Sequence, residues 1–487
     1  MNKRNLTLSL LIVPLGALLT WLLLSRPATG IDDADIFFVY ANHFADGHGF
    51  VYNIGGERVE GFTSMLWTLI CSGFAVVFHS IEKPLLLLNV VLGVAAISAC
   101  LKRAERPGLF LVALAAAPAW FAWCQITLME TGLWCLIITL LGLAVAERRV
   151  GAVSALIPLM VLTRPESMLW GAWAVLLIFL LADAGRRIKT AAPPLLAYLI
   201  TLVALVGFRM AYFGHPVPNT YYAKVSPSLF ANLADGMGYL VAYALSGGMV
   251  ALLLLVSTRS LVRGTTERAR SFWLALFLLP GLGIPVLVGG DHFGAFRFYQ
   301  PLWPLLCLLA ANELPALLRK IHPAVATFAL LGLLAAGWMR FPLTANLKHE
   351  FRIAAEGRAN GAALSRMFQD LERWPSVAVI TAGGNKLAYP GPVFDLMGLN
   401  DTEMARAPGD AANFKNHAGF NREVFYRWRP DIVLRGDSAA FDARVLNGLH
   451  DEPRFRVQYL KCSLHRNGAE LNAWFSNDLL TRLPAAD

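Results

Sequence analysis

The sequence predicts an α-helical polytopic membrane protein that ends in a small soluble α/β domain. Three observations carry that expectation. The 487 residues have a mean hydropathy of +0.52 and only 15% are charged, outside the range of ordinary soluble enzymes. Apolar runs of about 20 residues recur through the first two-thirds, each the length a helix needs to cross ~30 Å of hydrocarbon. After Phe341 the composition becomes that of a soluble domain, 342–487, following a membrane domain, 1–341.

The expected spans are 6–24, 84–101, 107–123, 132–146, 151–162 and 167–182, then 192–212, 239–257, 271–288, 301–318 and 323–341. One more apolar stretch, 62–78, is ambiguous by hydropathy, and charge decides it. With the N-terminus inside, the clusters Lys102/Arg103/Arg106, Arg148/Arg149, Arg186/Arg187/Lys189, Arg259/Arg263/Arg268/Arg270 and Arg319/Lys320 all face inward only if 62–78 does not cross. That stretch is therefore expected in the outer interface, leaving about eleven transmembrane helices. Lys3 and Arg4 before an apolar core also suit a secretory signal. The run is long for one, and no small-x-small site follows it, so a retained first helix is expected.

The net charge of +9 reads as topology signals scattered among loops rather than a nucleic-acid surface. Five of the six cysteines lie in apolar runs and Cys462 stands alone in polar sequence, which is neither a disulfide framework nor a metal spacing. In the C-terminal domain, 376–380, 431–434 and 455–459 read as strands and 348–374 as helix. Gly383-Gly384 after a strand hints at a nucleotide loop, but the spacing matches no phosphate fingerprint.

The same topology collects the chemically interesting side chains on the outer face. Asp32, Asp33 and Asp35 follow the first span directly. Acids there can cap a helix, although one suffices for that; the other reading is a catalytic base for an acceptor hydroxyl. Glu130 is either a solvated loop acid or the partner of Asp33 in orienting a sugar or holding a divalent ion. Arg164, in Thr163-Arg-Pro-Glu166, either snorkels and pairs with an acid or meets a lipid phosphate. Arg297, in the loop carrying Asp291 and His292, has the same two readings. In His215-Pro-Val-Pro-Asn-Thr-Tyr-Tyr-Ala-Lys224, Tyr221 and Tyr222 are interface anchors or sugar-stacking rings, with Lys224 placed to meet phosphate. His43, His48 and His215 lack a metal-ligand spacing.

Taken in order, these motifs are familiar. Asp32-Asp33, Gly47-His-Gly, Val59-Glu-Gly-Phe-Thr-Ser-Met-Leu-Trp67, Glu130-Thr-Gly, Thr163-Arg-Pro-Glu, Gly214-His-Pro-Val-Pro-Asn-Thr-Tyr-Tyr-Ala-Lys224, Gly289-Gly-Asp-His-Phe with Arg297, and Gly398-Leu-Asn-Asp401 follow one another along the chain. The chain resembles GT-C polytopic glycosyltransferases, most closely the mycobacterial terminal arabinofuranosyltransferase and the pilin arabinosyltransferase of Pseudomonas. The resemblance implies a bacterial inner-membrane enzyme that moves a sugar, D-arabinofuranose first among the candidates, from a polyprenyl-phosphate donor. The acceptor would be a hydroxyl of a glycan, lipid or pilin-like protein on the periplasmic side. By carry-over, Asp33 or Asp32 would be catalytic with Glu130 as a second acid. Arg164, Lys224 and Arg297 would contact donor phosphate, while Glu60, His215, Tyr221, Tyr222, Asp291 and His292 would line the pocket. Phe414-Lys-Asn-His-Ala-Gly-Phe420 departs from the family's C-terminal pattern. The alternative function is a lipid-linked sugar transporter or polysaccharide exporter, which would need polar groups through the midplane.

Overall fold

Apolar, breaker-poor segments build a long series of helices. They are α1 (Lys3–Leu23), α2 (Asp32–Ala45), α3 (Met65–Val77), α4 (Glu82–Leu101), α5 (Pro107–Ala115), α6 (Pro118–Phe121), α7 (Thr131–Ala146), α8 (Val150–Thr163) and α9 (Ser167–Leu181). The series continues with α10 (Arg187–Phe213), α11 (Asn219–Lys224), α12 (Leu229–Leu245), α13 (Gly248–Arg263), α14 (Thr265–Leu287), α15 (Trp303–Leu318), α16 (Pro323–Thr344) and α17 (Leu347–Phe368). The computed structural model describes residues 3–24, 29–224, 228–263, 265–318, 322–344, 346–408, 419–436 and 438–483. Most of the 414–420 element therefore lies outside the described residues, as do Arg319 and Lys320.

Every expected span falls on a helix or a bent helix pair. Among the described residues, helices in α1, α4, α10, α14 and α16 are each long and apolar enough to cross a bilayer, and two bent pairs, each counted as one span, raise the number to 7. The apolar helices α7, α8 and α9 have 16, 14 and 15 residues, about 21–24 Å at 1.5 Å per residue. The stretch at 62–78 forms α3, 13 residues whose Ser64 cap accepts a hydrogen bond from the Trp67 N–H.

Two expected spans are not straight. Between α5 and α6 the axis turns by 76°, because Pro118 has no N–H to continue the ladder and Ala117 ahead of it leaves the helical region. The segment expected as a span at 239–257 instead begins at Leu229 and turns by 108° between α12 and α13. Ser246-Gly247-Gly248 sits at that corner, where glycine backbone freedom works against helix continuation.

The C-terminal region carries a mixed sheet in the order β2-β1-β3-β5-β4. Its strands are β1 (Val377–Val379), β2 (Val393–Asp395), β3 (Ile432–Val433), β4 (Tyr459–Arg466) and β5 (Ala469–Ser476). β1 runs parallel to β2 and β3, and β5 runs antiparallel to β3 and β4. The strand expected at 455–459 is mostly a short helix, Pro453–Gln458, begun by a proline in its first turn; strand structure starts only at Tyr459. The β4–β5 hairpin escaped the sequence reading although its signal was present. Asn467-Gly468 takes φ of 50° and 70°, as a two-residue hairpin turn requires.

Helices and sheet share one apolar cluster, continuous from Val13 on α1 to Leu479 beyond β5. Polar pins add to it. The Asp32 carboxylate accepts the Gly383 and Gly384 N–H groups at 3.0 and 2.8 Å, where helix α18 (Ala382–Ala388) begins. The glycine pair that hinted at a nucleotide loop thus binds a carboxylate of its own chain, a use for which turned amides are suited. Arg358 on α17 meets Asp35 at 2.7 Å and Glu82 at 2.7 Å. Asn53 exchanges two hydrogen bonds with the backbone of Val393, at 2.8 and 3.0 Å, and Tyr52 donates to the Ala382 carbonyl at 2.7 Å. The stretch around α2 is therefore the bed on which the C-terminal region rests.

Candidate active site

The connection from α14 to α15 is built to present one arginine. Gly289 and Gly290 take φ of 89° and 78°, and Ala295 and Phe296 follow with 60° and 55°. A bulky residue in that region is strained by about 1–3 kcal/mol. Phe296 is held there by the Tyr299 N–H on its carbonyl at 3.0 Å and by the rings of Tyr239 and Tyr243, 5.3 and 5.4 Å away. The chain then enters the short 3-10 helix Arg297–Leu302. Arg297 Nε lies 2.7 Å from Asp291 Oδ2, and Nη1 lies 3.6 Å from Asp33 Oδ2. Aromatic faces surround the guanidinium, with Phe293 at 4.4 Å, Phe298 at 5.3 Å and Trp123 at 5.7 Å, within cation–π range.

The three acids of α2 have three different employments. Asp32 points to the Gly383-Gly384 amides and Asp35 to Arg358, so each fastens the C-terminal region. Only Asp33 faces Arg297. Asp32, expected beside Asp33 as a candidate for the catalytic role, has a backbone N–H on each carboxylate oxygen. Burial pushes the Asp32 carboxyl up to about 6 against the lowering effect of those two amides.

Glu130 and Arg164 meet at the junction of α7, α8 and α9. Pro165 holds Arg164 extended (φ −150°, ψ 147°), which ends α8 and aims the guanidinium inward. Arg164 Nη1 donates to Glu130 Oε1, and its Nη2 donates to Glu166 Oε1 at 2.7 Å. The Arg–Glu pair that the sequence offered as the alternative to a phosphate contact is thus present, with Glu166 as the acid. Arg164 also lies 5.4 Å from the Phe298 ring, so the two arginines flank one aromatic side chain. Among the described residues, Glu130 Oε2 and Thr131 Oγ1 are buried without a hydrogen-bond partner, polar atoms that are costly to leave unmet.

Beside the two arginines lies a narrow, partly open cleft. Its walls include Thr131, Trp134, Trp170 and Phe298, with Arg164, Glu166 and Arg297 supplying charge. Each guanidinium already faces two carboxylates, Arg164 those of Glu130 and Glu166, Arg297 those of Asp291 and Asp33. Lys224 acts nearby, since it and Arg297 add to burial, the main cause, in lowering the His292 imidazole to about 4. His292 is consequently neutral near pH 7. It lies 3.5 Å from Asp291 and stacks on Phe293 at 4.3 Å. Among the described residues no three His, Cys, Asp or Glu side chains group as a metal site.

Four residues expected in the pocket stand elsewhere. Glu60 is closed in a bidentate pair with Arg209 of α10, Nε–Oε2 2.9 Å and Nη2–Oε1 2.9 Å, both side chains 2% exposed. Sequence could not reveal that partner, because Arg209 sits in an apolar run that reads as a span. His215, Tyr221 and Tyr222 form a separate cluster, with the Tyr222 ring 6.1 Å from His215 and 4.5 Å from Arg406. Asn219 anchors that segment by donating to the carbonyls of Gly398, Leu399 and Asp401 at 2.8–3.1 Å.

The Glu60–Arg209 pair yields a stability prediction. Burial raises the Glu60 carboxyl from 4.5 to about 7 despite Arg209. The folded chain then holds that proton more tightly than the unfolded one, so this contribution is greatest below about 4.5 and fades as pH rises through about 7. Arg209→Met should cost about 3–5 kcal/mol at high pH by stranding the acid, and less at pH 6, where Glu60 protonates. Thermal unfolding in detergent at pH 6 and pH 8 checks it, and equal losses at both would contradict it.

With this geometry in view, comparison with solved structures gives a match over nearly the whole chain. The crystal structure of ArnT from Cupriavidus metallidurans, bound to undecaprenyl phosphate, superposes with a TM-score of 0.55. The alignment covers 96% of this chain and 98% of that one at 15% identity. The fold is of the GT-C type. At that identity the likeness concerns the backbone path, and the GT-C fold here includes both the helices and the C-terminal sheet region. No protein-family model and no curated protein matches the chain.

Proposed function

We propose that this chain transfers a sugar from a polyprenyl-phosphate donor to an acceptor hydroxyl at the outer face of the inner membrane. The observation that carries the reading is the meeting of Asp33, from α2, with Arg297, from the α14–α15 connection, in a GT-C fold. A carboxylate beside a fixed cation is what the reaction needs. The acceptor oxygen attacks the anomeric carbon while the carbon–phosphate oxygen bond breaks, its electron pair leaving with the lipid phosphate. The acceptor proton passes to Asp33, and Arg297 with Lys224 stabilises charge growing on the phosphate. Arg164, engaged by both glutamates, braces the pocket floor.

That a solved GT-C neighbour carries undecaprenyl phosphate supports a lipid-phosphate donor here. The order of motifs favours D-arabinofuranose as the sugar, and a glycan, lipid or pilin-like protein as acceptor. The basic clusters favour a cytoplasmic N-terminus, which puts the cavity and 342–487 in the periplasm, apart from the membrane domain 1–341.

Purified protein in lipid nanodiscs, given a labelled polyprenyl-phosphate sugar and a hydroxyl acceptor, should yield glycosylated acceptor and free polyprenyl phosphate. Arg297→Gln should lower kcat/KM for donor by about 10²-fold, the scale of one lost electrostatic stabiliser. Movement of intact donor across the bilayer without transfer would point to the transporter instead.

A further inference from the structure

Two exposed arginines rest on tyrosine rings instead of acids. The Arg58 guanidinium, in the α2–α3 connection, lies 4.7 Å from the centre of the Tyr212 ring, and that of Arg406 lies 4.5 Å from the centre of the Tyr222 ring. Among the described residues neither takes part in an ion pair, although acids stand close by. Each of those acids is engaged elsewhere. Glu57 accepts the Thr402 N–H at 2.8 Å, Asp401 accepts the Met404 N–H at 2.7 Å, and Glu403 accepts from Arg427 Nε at 3.0 Å.

One framework carries both arginines. Glu57, the neighbour of Arg58, binds the first residue of helix α19 (Thr402–Arg406), and Arg406 is its last. The Tyr212 hydroxyl accepts the Phe50 N–H at 2.9 Å, and Asn219 fastens the start of α11 to the carbonyls of 398–401. Tyr221 and Tyr222 follow on α11 and remain 53% and 37% exposed. Beneath this surface runs α2. Tyr40 donates to the Val59 carbonyl at 2.9 Å and to Asn400 Oδ1 at 3.2 Å, residues adjoining Arg58 and Asp401. Asp33 lies two turns earlier on the same helix, about 10 Å along its axis.

We propose that this surface, built on Arg58, Arg406, Tyr221 and Tyr222, binds an acidic glycan that serves as the acceptor. This rests on the glycosyltransferase reading. Sugar rings present flat C–H faces that cover exposed aromatic rings, and a guanidinium offers paired donors to a carboxylate or phosphate. Two cations whose neighbouring acids are already engaged select a negatively charged partner. Tyrosine and arginine also anchor proteins at membrane interfaces. Here, however, Arg406 and 398–401 belong to the C-terminal region, beyond α16, so the surface is shared with the part of the chain outside the spans. A glycan laid across the tyrosines would extend along α2 toward Asp33.

The test uses the full chain in phosphatidylcholine nanodiscs. An oligogalacturonate should bind at least about tenfold more tightly than a neutral maltooligosaccharide of equal length. Arg58→Gln and Arg406→Gln should each weaken that binding by about tenfold, the scale of one charge-assisted hydrogen bond. Tyr222→Ala should weaken it as much, and Tyr222→Phe should keep it. Equal binding of the two oligosaccharides, or oligogalacturonate binding that survives both arginine substitutions, overturns the proposal and leaves the glycosyltransferase reading intact. Loss of co-purified phosphatidylglycerol from the double variant, with oligogalacturonate binding unchanged, would identify a lipid head-group anchor and overturn it too. Because binding is read without turnover, a wild type that holds oligogalacturonate through these residues yet transfers no sugar would remove the glycosyltransferase reading while the acidic-glycan site stands.

Discussion

Asp33→Asn should reduce sugar transfer by about 10²–10⁴-fold, the usual worth of a general base, without disturbing insertion or folding. The reasoning is geometric. Asp33 is the acid of α2 that faces Arg297, across 3.6 Å, and its side chain is still 22% exposed. Asparagine keeps the shape and cannot take a proton. Donor binding should persist, because Arg297 and Lys224 are untouched, so the loss should appear in kcat. Single-turnover transfer with donor-loaded protein measures it directly; a variant that turns over at the wild-type rate would remove Asp33 from the mechanism. Asp32→Ala is the contrasting control. It should loosen the C-terminal region and leave a larger share of the chemical rate, since Asp32 binds amides rather than facing Arg297.

The second large effect is expected at Gly383. A Cβ there would lie 1.9 Å from the carbonyl oxygen of Asp32, a clash of backbone with side chain that no rotamer relieves. Gly383→Ala should therefore push α18 off the start of α2. Overpacking costs about 1–3 kcal/mol, and each lost hydrogen bond to a carboxylate about 1.5–3 kcal/mol. Asp33 is the next residue along α2, so displacement should also cost activity, by about tenfold or more. Limited proteolysis of 369–483 in the full-length variant, beside a transfer assay, reads both effects. Wild-type resistance to protease with wild-type turnover would show that the two glycine amides are not a docking point.

The sequence reading reached the helices because their signal is local. A run of about 20 apolar residues declares itself without reference to any other part of the chain, and each expected span coincides with a helix or a bent pair. Errors came where backbone chemistry interrupts such a run. Pro118 and the Ser246-Gly247-Gly248 corner bend segments that hydropathy treats as uniform, and Pro453 starts a helix where alternation suggested a strand. The Asn467-Gly468 turn was legible and went unread.

The candidate site divides along the same line. Acids and arginines at the ends of apolar runs stand out in the sequence, because a charge there needs a partner or a use; Asp33, Glu130, Arg164 and Arg297 are all of that kind. Pairing is different. Glu60 with Arg209, Asp35 with Arg358 and Asp32 with two glycine amides join residues distant along the chain, and nothing in their neighbourhoods distinguishes Asp32 from Asp33. Sequence by itself determined a helical membrane protein with its polar chemistry gathered at one set of helix ends. Only the tertiary structure decided which aspartate meets Arg297 and which ones hold the C-terminal region. The reason is that hydropathy is a property of consecutive residues, whereas the use of a buried charge depends on which opposite charge or amide the packed chain brings within about 4 Å.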